Sequence, residues 1–153
     1  MSLDIELKGA EELKLKLDDP GIGPALQEYV LEPAASLGVK TAVTGVDGGR
    51  NIAVRSIHKE VQPMMARVYT AMPKARAMSI EEGRKSGEWV PSKSIEMWAN
   101  AVGAAGPYVI KQEIHDQGVK GRRFMAKAKE AIENALPGFL SNMGKAIEGK
   151  FNR

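Results

Sequence analysis

The 153-residue sequence contains no cysteine and only two histidines, His58 and His115, far apart in the chain. The first absence excludes disulfides, thiolate metal sites and thiol catalysis, and it permits a reducing compartment. With no His or Cys cluster, the spacing gives no support to a zinc site, and a nucleophilic triad would have to be assembled from scattered residues. No apolar run approaches the ~18–20 residues of a bilayer span. The opening Met1-Ser2-Leu3-Asp4-Ile5-Glu6 lacks the basic and apolar regions of a signal peptide. The expected setting is therefore a cytoplasm, with no membrane partner. Acidic residues occur as neighbours, Asp18-Asp19 and Glu81-Glu82, and neighbours in sequence do not face each other across a substrate as a paired acid and base must. No catalytic, cofactor-binding or metal-binding residue is singled out, and an enzyme is not expected.

What is present is ordinary for a globular chain: 43% hydrophobic and 27% charged residues, in a length suited to one domain over 1–153. The net charge of +3 and pI near 9.1 are too mild for a dedicated nucleic-acid binder. The distribution says more than the total. Residues 1–30 hold seven acidic residues against three lysines, whereas residues 118–153 hold eight basic residues against three glutamates. Such ends are either solvated faces or complementary surfaces for head-to-tail docking of copies or stacked partners.

Along the chain, Leu3-Asp4-Ile5-Glu6-Leu7 alternates as a half-buried strand, and Ala10–Leu17 reads as a helix stopped at Asp18-Asp19-Pro20-Gly21. Helical spacing then runs from about 24 to 44, with Pro33 expected to kink or split it. Thr44–Arg50 reads as a glycine-rich turn, because no Lys-Ser/Thr follows at the spacing of a phosphate loop. Between Asn51 and Met72 the β-branched content rises and is broken at Pro63, so two strands meeting there should pair with the first. Residues 73–83 fit a strand or a helical turn equally, and 83–93 read as an exposed loop carrying Trp89. Ser94 is placed to cap a short helix, and a second helix is expected from Tyr108 to near Gly118. Gly118-Val119-Lys120-Gly121 reads as a tight connection. The clearest periodicity, Phe124, Ala128, Ile132, Leu136, Leu140, Met143, Ile147 and Phe151, predicts an amphipathic helix of ~27 residues that Pro137 should bend or divide. The expected class is α+β, a small antiparallel sheet packed against long helices with a long amphipathic C-terminal helix. Arg84, Trp89, Lys120, Arg122 and Arg123 are the candidate partner or subunit-interface residues.

In its order of landmarks the chain resembles the HK97 gp10-like family of tailed-phage tail-completion and neck proteins. The likeness rests on the opening Leu3-Asp4-Ile5-Glu6-Leu7-Lys8-Gly9 with Glu11-Glu12-Leu13, on Val68-Tyr69-Thr70-Ala71 followed by Ser79-Ile80-Glu81-Glu82-Gly83-Arg84, and on Ile114 through Gly118-Val119-Lys120-Gly121-Arg122-Arg123-Phe124-Met125 entering the last helix. It spans nearly the whole chain. The stretch between Tyr69 and Glu81 is longer than in short members, and the usual Pro-x-Thr-Gly-x-Leu is reduced to Thr44-Gly45-Val46. The resemblance implies a non-enzymatic virion part, without cofactors, assembled in the host cytoplasm. It implies a homo-oligomeric ring, six-fold favoured, at the head–tail junction, joined to neighbouring neck and tail proteins, with non-specific contact to translocating DNA. A tail terminator, a minor tail protein, or a small nucleic-acid-binding module using Lys120, Arg122, Arg123, Lys127 and Lys129 are the alternatives.

Overall fold

A computed structural model describes residues 2–6, 22–46, 52–91, 93, 95–96 and 106–151. The expected helix over Ala10–Leu17 and its stop lie outside the described residues, as do most of the short helix expected after Ser94 and the Asp47–Arg50 part of the glycine-rich turn. The fold is α+β. Strand β1 (Ser2–Glu6) pairs antiparallel with β3 (Met65–Thr70), which pairs antiparallel with β2 (Ile57–Gln62), in the order β1-β3-β2. The two-residue turn Pro63-Met64 joins β2 to β3 where the break at Pro63 predicts it. Proline fixes φ at the first turn position and Met64 takes φ +70° at the second, the type II pattern. Left-handed backbone costs a methionine roughly 1–2 kcal/mol, and Met64 offsets part of that by packing its side chain on the core.

Alternation along β3 buries Ala66, Val68 and Thr70 on one face. That face meets a helical run made of α1 (Ile22–Leu26), a π-helical turn (Gln27–Leu31) and α2 (Glu32–Val46). Pro33 neither splits nor ends this run. A proline ring collides with the carbonyl four residues back and brings no N–H. Immediately before it the backbone widens, with the Glu32 N–H reaching the Gln27 carbonyl five residues back, a spacing that makes room for the ring.

Ile52–Arg55 forms a short helix, α3, rather than the start of a strand. The cause is local: Ser56 bonds the Ala53 carbonyl through both its amide (3.2 Å) and its hydroxyl (2.7 Å), closing a turn. The same hydroxyl lies 3.0 Å from Thr70 Oγ1, tying this turn to the end of β3. Residues Lys74–Glu82 form helix α4, which resolves the strand-or-helix ambiguity there. Gly83–Arg84 form β4, Pro107–Gln117 form α5, and Val119–Lys120 form β5, which pairs antiparallel with β4. The last helix, α6, runs Phe124–Phe151, and Pro137 does not divide it.

The core lies where α2, α6 and the inner face of the sheet meet. Gly38 marks that meeting point: a Cβ there would stand 2.8 Å from Ile132 Cδ1 and 3.0 Å from Val68 Cγ2. The core's described members come from residues 25–80 and 124–147, with none between Ile80 and Phe124.

Candidate interaction surface

The two segments Ser79–Arg84 and Gly118–Met125 are far apart in sequence and meet as one junction. Arg122 N–H donates to the Ile80 carbonyl (2.9 Å) and Arg123 N–H to the Glu81 carbonyl (3.0 Å). Gly83 pairs with Lys120 and Arg84 with Val119. The backbones run so close that only glycine fits. A Cβ on Gly83, at φ +84°, would lie 2.0 Å from the Val119 carbonyl oxygen, and one on Gly121 would lie 2.3 Å from that of Glu81.

This junction joins two helix ends of opposite polarity. Glu81 is buried, and its carboxylate accepts from the amides of Met125 (2.9 Å) and Ala126 (2.9 Å) at the start of α6. It therefore caps that helix from a distant element, satisfying two donors that would have no helical partner and placing negative charge at the positive end. At the other pole, the Arg122 guanidinium donates to the Val46 carbonyl at the end of α2 (2.5 Å), a cation at the negative end. Gly45 lets the two helices close up, since a Cβ on it would be 3.1 Å from Phe124 Cβ.

Of the residues expected at an interface, Arg84, Lys120, Arg122 and Arg123 are therefore brought to this junction, with Arg122 engaged in holding α2. Lys120 and Arg123 are exposed, and Arg84 is half-buried. Trp89 lies apart from them, 52% exposed on the loop that leaves β4. It folds onto α5, stacking on His115 (centroids 4.1 Å apart, 28° between planes) with the Lys111 ammonium 5.1 Å from its ring centre. The His115 carbonyl accepts the Gly87 amide (2.7 Å). Its Nδ1 is 2.9 Å from Asp116 Oδ1, and the Gln112 amide donates to both Asp116 oxygens. These bonds, first His115 and then Gln112, hold the Asp116 carboxyl below the usual carboxylate range.

No family model, curated protein or solved structure matches this chain.

Sequence reasoning missed Glu81, whose role depends on an element 44 residues away, and the apolar exposure of α5. That helix buries none of its eleven residues. Tyr108 is 72% and Val109 54% exposed, and neighbouring Val119 is 45% exposed. The one available signal was the Tyr-Val pair directly after Gly106-Pro107. Among the described residues, no group of three His, Asp or Glu could hold a metal, and no helix is long and apolar enough to cross a membrane.

Proposed function

We propose that this chain is a structural subunit of a tailed bacteriophage, a tail-completion or head–tail joining protein that forms part of the neck ring through which DNA passes. The observation that carries the reading is the convergence of two of the stretches on which the resemblance rests. Ser79–Arg84 and Gly118–Met125 lock through backbone pairing, the Glu81 cap and the close-packed Gly83 and Gly121. Two of the stretches on which the resemblance rests are thus parts of one unit in this fold, which supports reading them together. A surface with exposed Trp89, Tyr108 and Val109 also suits a subunit that is covered in an assembly. DNA contact, where it occurs, is to phosphates and falls steeply with salt, because only phosphates are presented uniformly along a moving genome.

Electron microscopy of a lysate in which this gene alone is disrupted tests the reading. Filled heads beside unattached or misfinished tails are expected. Joined, infectious virions at normal yield would overturn it.

A further inference from the structure

Between Asp116 and Glu130 the sequence carries Lys120, Arg122, Arg123, Lys127 and Lys129 and no acidic residue. A charge run of this kind on a loose segment is a solvated stretch. Here the fold fixes it in place. Strand β5, the connection after it and the start of α6 are held on one junction by the β4–β5 pairing and by the Arg122 and Arg123 amides on the Ile80 and Glu81 carbonyls. Gly83 and Gly121 let those backbones close, since no Cβ fits at either. A base so fixed presents its side chains without first having to order a loop.

The five cations divide by what they meet. Arg122 donates to the Val46 carbonyl, and the Lys129 ammonium lies 3.7 Å from Glu133. Lys120, Arg123 and Lys127 are exposed, and their side chains make no ion pair or hydrogen bond among the described residues. The Arg123 carbonyl accepts the Lys127 amide (2.9 Å), which sets these two one helical turn, about 6 Å, apart along α6. Lys120 stands three residues before Arg123, within about 10 Å of chain. Two acidic residues share the junction. Glu81 is buried and committed to the Met125 and Ala126 amides, so an anion from outside is met by the three side chains and not by those amides. Glu82 is exposed and pairs with none of the three.

Arg123 also holds φ +51°, and Met64 is the other non-glycine residue at positive φ among the described residues. Left-handed backbone suits glycine or asparagine. Met64 packs on the core in return, whereas the Arg123 side chain points to no ion pair or hydrogen bond within the described fold.

We infer that Lys120, Arg123 and Lys127 form a contact surface for the phosphate backbone of duplex DNA, engaged without regard to sequence. A protein interface has an apolar centre with charge at its rim, and no large hydrophobic side chain is exposed over 120–129. The adjoining ring, Phe124, is fully buried, so unpaired bases have nothing there to stack on. Closely set, free cations on a fixed base match what a duplex offers at every step, its phosphates. The inference rests on the proposed reading in which DNA passes this subunit, and it names the residues that meet it.

Fluorescence anisotropy of a labelled short duplex with the full-length protein tests it. Three phosphate contacts predict a slope of log K on log salt of about −2.7, a loss of about fortyfold in affinity between 50 and 200 mM salt. Lys120→Gln, Arg123→Gln and Lys127→Gln should each flatten the slope by about 0.9, and Lys145→Gln, remote on α6, should leave it unchanged. Arg123→Gly, which suits the left-handed backbone, should weaken DNA binding at an unchanged or higher urea midpoint. Absence of binding at 50 mM salt with about 100 μM protein would overturn the inference, as would slopes that the three variants leave alone or that Lys145→Gln flattens equally. Loss of self-association in the triple variant with duplex binding intact would overturn it too, by assigning these cations to an acidic protein surface. A lysate of normal virions would remove the neck reading and leave a measured duplex contact standing; absent duplex binding beside filled heads and unattached tails would do the reverse.

Discussion

Glu81 holds an unusual post, a buried carboxylate whose two oxygens are committed to the amides of Met125 and Ala126. Replacing it with alanine leaves the buried Met125 amide and the part-buried Ala126 amide without their acceptor, and an unmet buried donor costs about 1–3 kcal/mol. Glu81→Ala should therefore lower the urea midpoint by an amount corresponding to at least ~1–3 kcal/mol with an unchanged m-value, and Glu81→Gln, which keeps one acceptor oxygen, should cost less. Equal midpoints for alanine and wild type would show that the cap carries no weight. Asp116 is the surface counterpart. Its depressed pKa means that the contact with His115 and Gln112 favours the ionised form, so this contribution is present above the carboxylate's unfolded pKa and is lost as pH falls through its lower folded value. Asp116 is exposed, so the consequence is read locally and not as global stability. Carboxyl NMR should place its midpoint below that of the variant carrying His115→Ala and Gln112→Ala, where it moves back up toward the ordinary carboxylate range. Coincident titrations in the two proteins would remove the assigned cause.

At the scale of elements, the packing of α2 on α6 and the sheet turns on Gly38. A methyl group there lands 2.8 Å from Ile132 Cδ1 and 3.0 Å from Val68 Cγ2, and overpacking of this kind costs about 1–3 kcal/mol. Gly38→Ala should be destabilising by that amount, and markedly less so in an Ile132→Val background, which removes the nearer atom; an additive double mutant would show that the two sites do not touch. The same elements show what the sequence could carry. Helix α6 and the β2–β3 hairpin were legible because each is specified by its own residues: eight apolar positions at helical steps in one, a break at Pro63 between β-branched runs in the other. Ile52–Arg55 was not legible, because a strand-like composition was overridden by a hydroxyl of Ser56 turned onto Ala53 and Thr70. The persistence of the helix through Pro33 depends on a π-turn placed before it, which hydrophobic spacing does not report. The candidate site was half legible. Lys120, Arg122 and Arg123 stand together in the sequence and Arg84 stands apart from them, so that the four share one junction, and that Arg122 reaches Val46, are facts of tertiary placement, the second 76 residues away.

As a whole, the molecule divides its stability unevenly. Helices α2 and α6 bury Ala34, Ala42, Phe124, Ala128 and Ile132 in one core, whereas α5 has no buried residue; among its ties to the described residues are the β4–β5 pairing next to it, the Gly87–His115 hydrogen bond and the Trp89 stack. A helix that buries no residue opens without unfolding the rest, since local opening free energies run from about zero up to the global value. Amide hydrogen exchange on the free monomer should therefore show α5 exchanging at least about a hundredfold faster than the buried face of α6. Trp89→Ala removes the aromatic surface that His115 and Lys111 lie against and should speed α5 further while leaving the urea midpoint of the whole chain within about 0.5 kcal/mol of wild type. Exchange of α5 at the rate of α6, unchanged by Trp89→Ala, would mean that the arm unfolds only with the core. Fast exchange in dilute protein that slows in concentrated protein would instead mark the arm as a part stabilised by a neighbouring copy.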